Sequence, residues 1–177
     1  MNLYPSVTQV LSIFEPLVWS PRIEAAGLRG TNIHDYAAMH ARGIPPMNIP
    51  PEWQGYYDSF RSWYELFVKE PILIEERLVH DGYGFHGQPD LIFRNKQDEM
   101  CLVDYKTGAV TQKRWSLQIS AYEELANENK LEVIRSGYVK LTVDGKQGAF
   151  IDTSDLATNK NFHIFRSALN VYRFMKS

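Results

Sequence analysis

The sequence predicts an α/β protein of the α+β kind, a mixed β-sheet flanked by helices in three layers. Three observations carry this. Helix and strand signals follow one another as helices, three strands, a helix, two strands and a helix. The β-rich runs lie within residues 72–106 and 133–152, divided by short polar turns suited to hairpins. Apolar residues make up 44% and charged residues 23% of 177 residues, an ordinary globular balance in a chain long enough to bury a core.

The elements are read in order. Ser6 caps a short helix reaching about Phe14, ended by Pro16. Gly30-Thr31 opens a second helix, with Thr31 as its cap and Gly43 beyond its end. Pro45-Pro46 and Pro50-Pro51 mark a turn-rich connection. Trp53 to Lys69 places Trp53, Tyr56, Tyr57, Phe60, Trp63, Tyr64 and Phe67 on a helical stripe, read as a helix packed on the core, with a stacking platform for bases as the alternative. Ile72–Val79 and Phe85–Arg94 are strands joined through His80-Asp81-Gly82-Tyr83-Gly84, and Met100–Lys106 is a third. Trp115–Asn129 is an amphipathic helix, Val133–Val143 and Ala149–Asp152 form a hairpin around Asp144-Gly145, and Asn161–Lys176 closes the chain as a helix. With no repeat or low-complexity tract, residues 1–177 read as a single domain. Its helical part covers about 1–70 and its sheet and core about 71–177.

Composition narrows the function classes. Nineteen Lys+Arg against 21 Asp+Glu give a formal charge of −2, which argues against binding nucleic acid through bulk positive charge. The single cysteine, Cys101, excludes an internal disulfide, an all-Cys zinc site and a four-Cys iron–sulfur cluster. The N-terminus lacks a signal-peptide pattern, and no apolar run approaches the ~18–20 residues of a membrane span, so the expected location is the cytoplasm.

The informative stretch is Gly87-Gln88-Pro89-Asp90 followed by Asp104-Tyr105-Lys106-Thr107-Gly108. On a strand, residues i and i+2 share a face, so Asp104 and Lys106 project together and Tyr105 projects oppositely. A hairpin brings Asp90 beside Asp104, and paired carboxylates call for a cation, which a hard divalent ion with oxygen ligands supplies. Two carboxylates, a metal and a lysine are the parts for hydrolysing a phosphodiester. Glu76 lies on the preceding strand and is preferred to Glu75 for its distance from Asp90 and because Ile74, Glu76 and Leu78 alternate with the other face. Gln118 and Tyr122 share a face of the following helix, and His34 sits in a first helical turn, where a neutral imidazole can ligate a metal.

The ordered set Gly30-Thr31-x-x-His34, Glu76, Gly87-x-x-Asp90, Asp104-Tyr105-Lys106-Thr107-Gly108 and Gln118-x-x-x-Tyr122 resembles the PD-(D/E)XK nuclease superfamily, most closely its RecB-type branch. The resemblance runs from about Ser6 to Tyr122 and implies a restriction-endonuclease-like core. It implies Asp90, Asp104, the Tyr105 carbonyl and His34 as ligands of one or two Mg²⁺ or Mn²⁺ ions, without an iron–sulfur cluster. Lys106 would position or activate water, Glu76 would complete the acidic cluster, and Gln118 and Tyr122 would orient the lysine and contact DNA. The implied activity is metal-dependent DNA hydrolysis, exonuclease favoured, in recombination, repair or phage DNA processing. A structure-specific endonuclease, a catalytically silent nucleic-acid-binding module and a generic interaction domain are the alternatives. A recombination-protein partner or a homo-oligomer would supply processivity.

The charge balance then takes a second meaning. Two divalent ions would move the formal charge from −2 to +2, and Arg22, Arg29, Lys113 and Arg114 are candidates for a local basic patch. Binding to DNA is expected to be weak without metal and strengthened by it.

Overall fold

The computed structural model describes residues 4–14, 20–108, 112–154 and 159–177. Ser6 caps α1 (Val7–Leu11) in a capping box with Gln9, and the chain continues into a 3-10 turn, Ser12–Phe14. Pro16, expected to end this helix, lies outside the described residues.

Helix α2 spans Pro21–Ala41, with the Ser20 side chain accepting from the Ile23 amide and Pro21 at the first helical position. The expected start at Gly30-Thr31 is therefore corrected: both residues lie in mid-helix. A Cβ at Gly30 would meet nothing within 4 Å, so this glycine is tolerated there at the cost of helix propensity alone. Helix α3 (Pro51–Phe67) carries the aromatic stripe, with Tyr57, Phe60 and Trp63 buried and Trp53 and Tyr56 half-buried.

The two long strands expected over 72–79 and 85–94 are each divided. The first becomes β1 (Val68–Ile74) and β2 (Leu78–His80), because Glu75 takes a left-handed backbone with φ 49° that ends the pleat. The second becomes β3 (Phe85–Gly87) and β4 (Leu91–Asn95), separated by Gln88-Pro89-Asp90, where proline offers no amide to a ladder. β2 and β3 pair with each other as a small hairpin sheet apart from the main one. β5 (Met100–Lys106) is followed by α4 (Lys113–Glu128), β6 (Arg135–Lys140), β7 (Ala149–Asp152) and α5 (Lys160–Lys176).

The main sheet runs β1-β4-β5-β6-β7. Only the β5–β6 pair is parallel, its crossover made by α4; the other neighbours are antiparallel. Alternation along β5 divides the core. Leu102 joins Ile92, Ile119, Leu125, Phe162 and Phe165 under α1, α4 and α5. Val103 and Tyr105 join Leu91, Ile33, Phe60 and Trp63 under α2 and α3. The mixed α/β sandwich of three layers is thus the architecture expected, and Asp104 and Lys106 fall on the α4 face.

Candidate active site

Register builds the site. Leu91 stands opposite both Ile74 of β1 and Val103 of β5, so the residues flanking it bring Glu75, Asp90 and Asp104 to the same end of three adjacent strands. The Glu75 amide donates to the Asp90 carbonyl at 3.1 Å, which fixes the turn that carries Glu75 to this edge. The Tyr105 amide donates to Asp90 Oδ2 at 2.5 Å, locking Asp90 against β5. Gly87 is needed close by. A Cβ there would lie 2.7 Å from both the Tyr122 ring and Leu125, so only glycine lets β3 approach α4 this closely.

His34 reaches the edge from α2. Its Nδ1 lies 2.9 Å from Asp90 Oδ1 and its Nε2 3.0 Å from the Tyr105 carbonyl oxygen. Burial opposes the charged imidazole, but the Asp90 charge and hydrogen bond outweigh it and raise the His34 pKa to about 9. Ligand atoms of His34, Glu75 and Asp90 all lie within 4.8 Å of one another. Burial, and then the Asp90 charge, push the Glu75 carboxyl upward. Crowded carboxylates of this kind gain when a cation joins them. Two carboxylates, a backbone carbonyl and one imidazole suit a hard divalent ion.

Asp104 of β5 is only 2% exposed. It forms an ion pair with Lys106, and its Oδ1 accepts from Gln118 Nε2 at 3.0 Å. The same Nε2 donates to the Tyr122 hydroxyl at 3.0 Å, and Gln118 Oε1 accepts from Lys106 Nζ at 2.7 Å. One amide therefore holds acid, lysine and tyrosine in a single network. Burial pushes Asp104 above the usual carboxylate range against the pull of Lys106. Lys106 Nζ also lies 5.7 Å from the centroid of the Trp115 ring, which adds a cation–π contact.

Most of the expected residues meet here: His34, Asp90, Asp104, Tyr105, Lys106, Gln118 and Tyr122. Glu76 does not. It is exposed, one residue past the left-handed turn, and Glu75 comes to the cluster in its place. The expected alternation through Ile74, Glu76 and Leu78 fails because the strand ends at Ile74. Only the doubled Glu-Glu signalled this choice in the sequence. The placement of His34 changes as well: it lies well inside α2, remote from a helix N-terminus. Trp115 passes in the sequence for an ordinary amphipathic-helix residue.

The residues line a cleft of about 650 Å³ bordered by Gly27 and Gly30 of α2 and by Arg114 of α4. The absence of side chains at the two glycines keeps its α2 wall low. Arg29 donates to the Thr107 carbonyl at 3.4 Å and stacks on Tyr56 at 5.1 Å, so the half-buried Tyr56 faces the cleft rim through an arginine. Arg22 and Lys113 are exposed.

The chain is thus a mixed-sheet sandwich with an acidic, lysine-bearing cleft at the strand ends. The chain belongs to the PD-(D/E)XK nuclease superfamily, whose sequence pattern matches residues 53–171, and it is a nuclease of that group. Members generally use divalent metals. A candidate exonuclease from Eubacterium rectale shares the fold with a TM-score of 0.63 at 10% identity, covering 99% of this chain and 82% of that one. An alkaline exonuclease from Laribacter hongkongensis aligns at TM-score 0.46 and 12% identity, over 98% of this chain and 91% of that one. A comparison with curated protein sequences finds no match. No helix among the described residues is long and apolar enough to cross a membrane.

Proposed function

We propose that residues 1–177 form one nuclease domain that hydrolyses DNA phosphodiesters with Mg²⁺ or Mn²⁺, acting as an exonuclease in DNA recombination, repair or phage DNA processing. The observation that carries the reading is the convergence of Asp90, Asp104 and Lys106 at one strand edge, with Gln118 bridging Asp104 and Lys106.

Asp90, Asp104, the Tyr105 carbonyl and His34 would hold the ion, with Glu75 completing the acidic cluster. A bound divalent ion supplies charge neutralisation at the phosphate and a lowered pKa for its water. The chain's own residues do the rest. Lys106, a point cation fixed by Asp104 and Gln118, sits where it can hold a nucleophilic water or meet charge developing on phosphate oxygens. Gln118 keeps the ammonium directed, since the amide oxygen faces the lysine while the amide nitrogen is spent on Asp104 and Tyr122. Tyr122 closes the α4 wall. Arg29 and Arg114 supply local positive charge at the cleft, in a chain of formal charge −2. The structural relative from Eubacterium rectale is named an exonuclease, and this supports degradation from ends over internal cleavage.

The test uses purified protein and end-labelled single- and double-stranded DNA with Mg²⁺, Mn²⁺ or EDTA. Cleavage is expected with metal, lost in EDTA, and reduced by about 10²-fold or more in Asp104→Ala and Lys106→Ala. Cleavage that survives EDTA or either substitution would overturn the reading. A closed circular substrate that is cut would overturn the exonuclease assignment alone.

A further inference from the structure

The cleft leaves unexplained a second depression of about 780 Å³ on the other side of the first turn of α1. Basic side chains from three parts of the fold meet there: Arg77 before β2, His86 of β3, and Arg173 and Lys176 in the last turns of α5. No Asp or Glu side chain lines it among the described residues. Arg173 is fixed in place, donating to the Tyr83 carbonyl at 2.6 Å and the Gly84 carbonyl at 2.8 Å. Lys176 lies 6.0 Å from the centroid of the Tyr172 ring. Arg77 is exposed; burial, and then the Arg77 charge, hold the neighbouring His86 imidazole below its usual range. Like charges gathered with no Asp or Glu side chain among them repel, and the arrangement is relieved when a polyanion arrives.

Position indicates which polyanion. Thr8 lines the cleft and the next residue, Gln9, lines the groove; Gln88 lines the cleft, and His86, two residues before it, lines the groove. The His86 amide donates to the Pro5 carbonyl at 3.0 Å, tying β3 to the start of α1, so the ridge between the two depressions is built from fixed backbone. The ridge is one helix wide, about 10–12 Å. A strand crosses it in a few nucleotides.

We propose that this groove binds the phosphodiester backbone of the DNA strand running on from the cleft, through Arg77, Arg173 and Lys176. This rests on the nuclease reading and extends it to a substrate track beyond the reacting phosphate. An acidic protein segment would meet the same charges, but continuity with the cleft favours the strand that is being cut.

The experiment reads binding of labelled single strands of 20 and 3 nucleotides in EDTA, where the strand is not cut, across a salt series. Arg77→Ala/Lys176→Ala is expected to weaken the 20-mer by roughly tenfold and flatten its log K against log salt slope by about 1.4, for two lost phosphate contacts. The 3-mer should hardly change. Arg77→Glu, at an exposed position, gives a second reading with a larger loss of 20-mer affinity. Equal affinities and slopes in variant and wild type, or an equal loss for 3-mer and 20-mer, would overturn the track. Displacement of the 20-mer by poly-glutamate at matched charge, with the wild-type cleavage rate unchanged, would assign the groove to an acidic partner instead. Cleavage of end-labelled DNA by the wild type judges the nuclease reading separately, so loss of the track leaves that reading standing.

Discussion

His34 is clamped between two acceptors, with Nδ1 2.9 Å from Asp90 Oδ1 and Nε2 3.0 Å from the Tyr105 carbonyl oxygen. A carbonyl and an ionised carboxylate only accept, so the imidazole donates from both nitrogens and is the cation. A pKa raised to about 9 agrees.

That relationship predicts a pH dependence for the metal-free protein. The folded value lies above the unfolded 6.5, so the stabilisation is fully present below about pH 6.5 and is lost as pH rises through about 9. His34→Asn is expected to lower the melting temperature most near the acid end of this window, with the gap to wild type closing above it. Thermal melts in EDTA across the range check this. A gap that widens with rising pH would refute the cationic form.

The neighbouring glutamates are expected to separate cleanly. Glu75 lies with His34 and Asp90, whereas Glu76 is exposed. Glu75→Gln is expected to raise the Mg²⁺ or Mn²⁺ concentration for half-maximal cleavage by about 10–100-fold, the range found when groups supporting a metal site are removed. Glu76→Gln should leave it within about twofold. Metal titrations of initial rate distinguish them, and the reverse ranking would return the acidic cluster to Glu76.

Gln118 is expected to act by positioning. Gln118→Ala removes the donor to buried Asp104 and the acceptor for Lys106, so unfolding free energy should fall by about 1–3 kcal/mol. Cleavage should fall in kcat more than in KM, because the ammonium loses its aim while the cleft keeps its walls. Denaturant unfolding and steady-state rates read the two effects. A pure KM effect would place Gln118 in substrate binding instead.

Much of this was legible in the sequence for local reasons. Met100–Lys106 reads as a strand because a continuous β-rich run ends at Thr107-Gly108, and period-two alternation puts Asp104 and Lys106 on one face and Tyr105 on the other. The i, i+4 spacing of Gln118 and Tyr122 likewise forces them onto one helix face, where the Gln118 amide donates to the Tyr122 hydroxyl. The start of α2 was not legible, because Gly30-Thr31 carries the same punctuation as a cap while Ser20-Pro21 ten residues earlier takes that role.

By itself, then, the sequence determined the order of elements, the β5 strand with its acid and lysine, the α4 amide and the family these motifs belong to. All of these depend on backbone periodicity and residue type. Tertiary structure decided which glutamate joins the cluster and what His34 touches. The Glu75 amide turns to the Asp90 carbonyl across a strand pair, and that long-range hydrogen bond reverses the local alternation. His34 meets Asp90 and Tyr105 because helix packing under the sheet brings residues 56 and 71 positions apart within hydrogen-bond reach. Local spacing cannot encode such a contact, since it is set by how the layers close on one core.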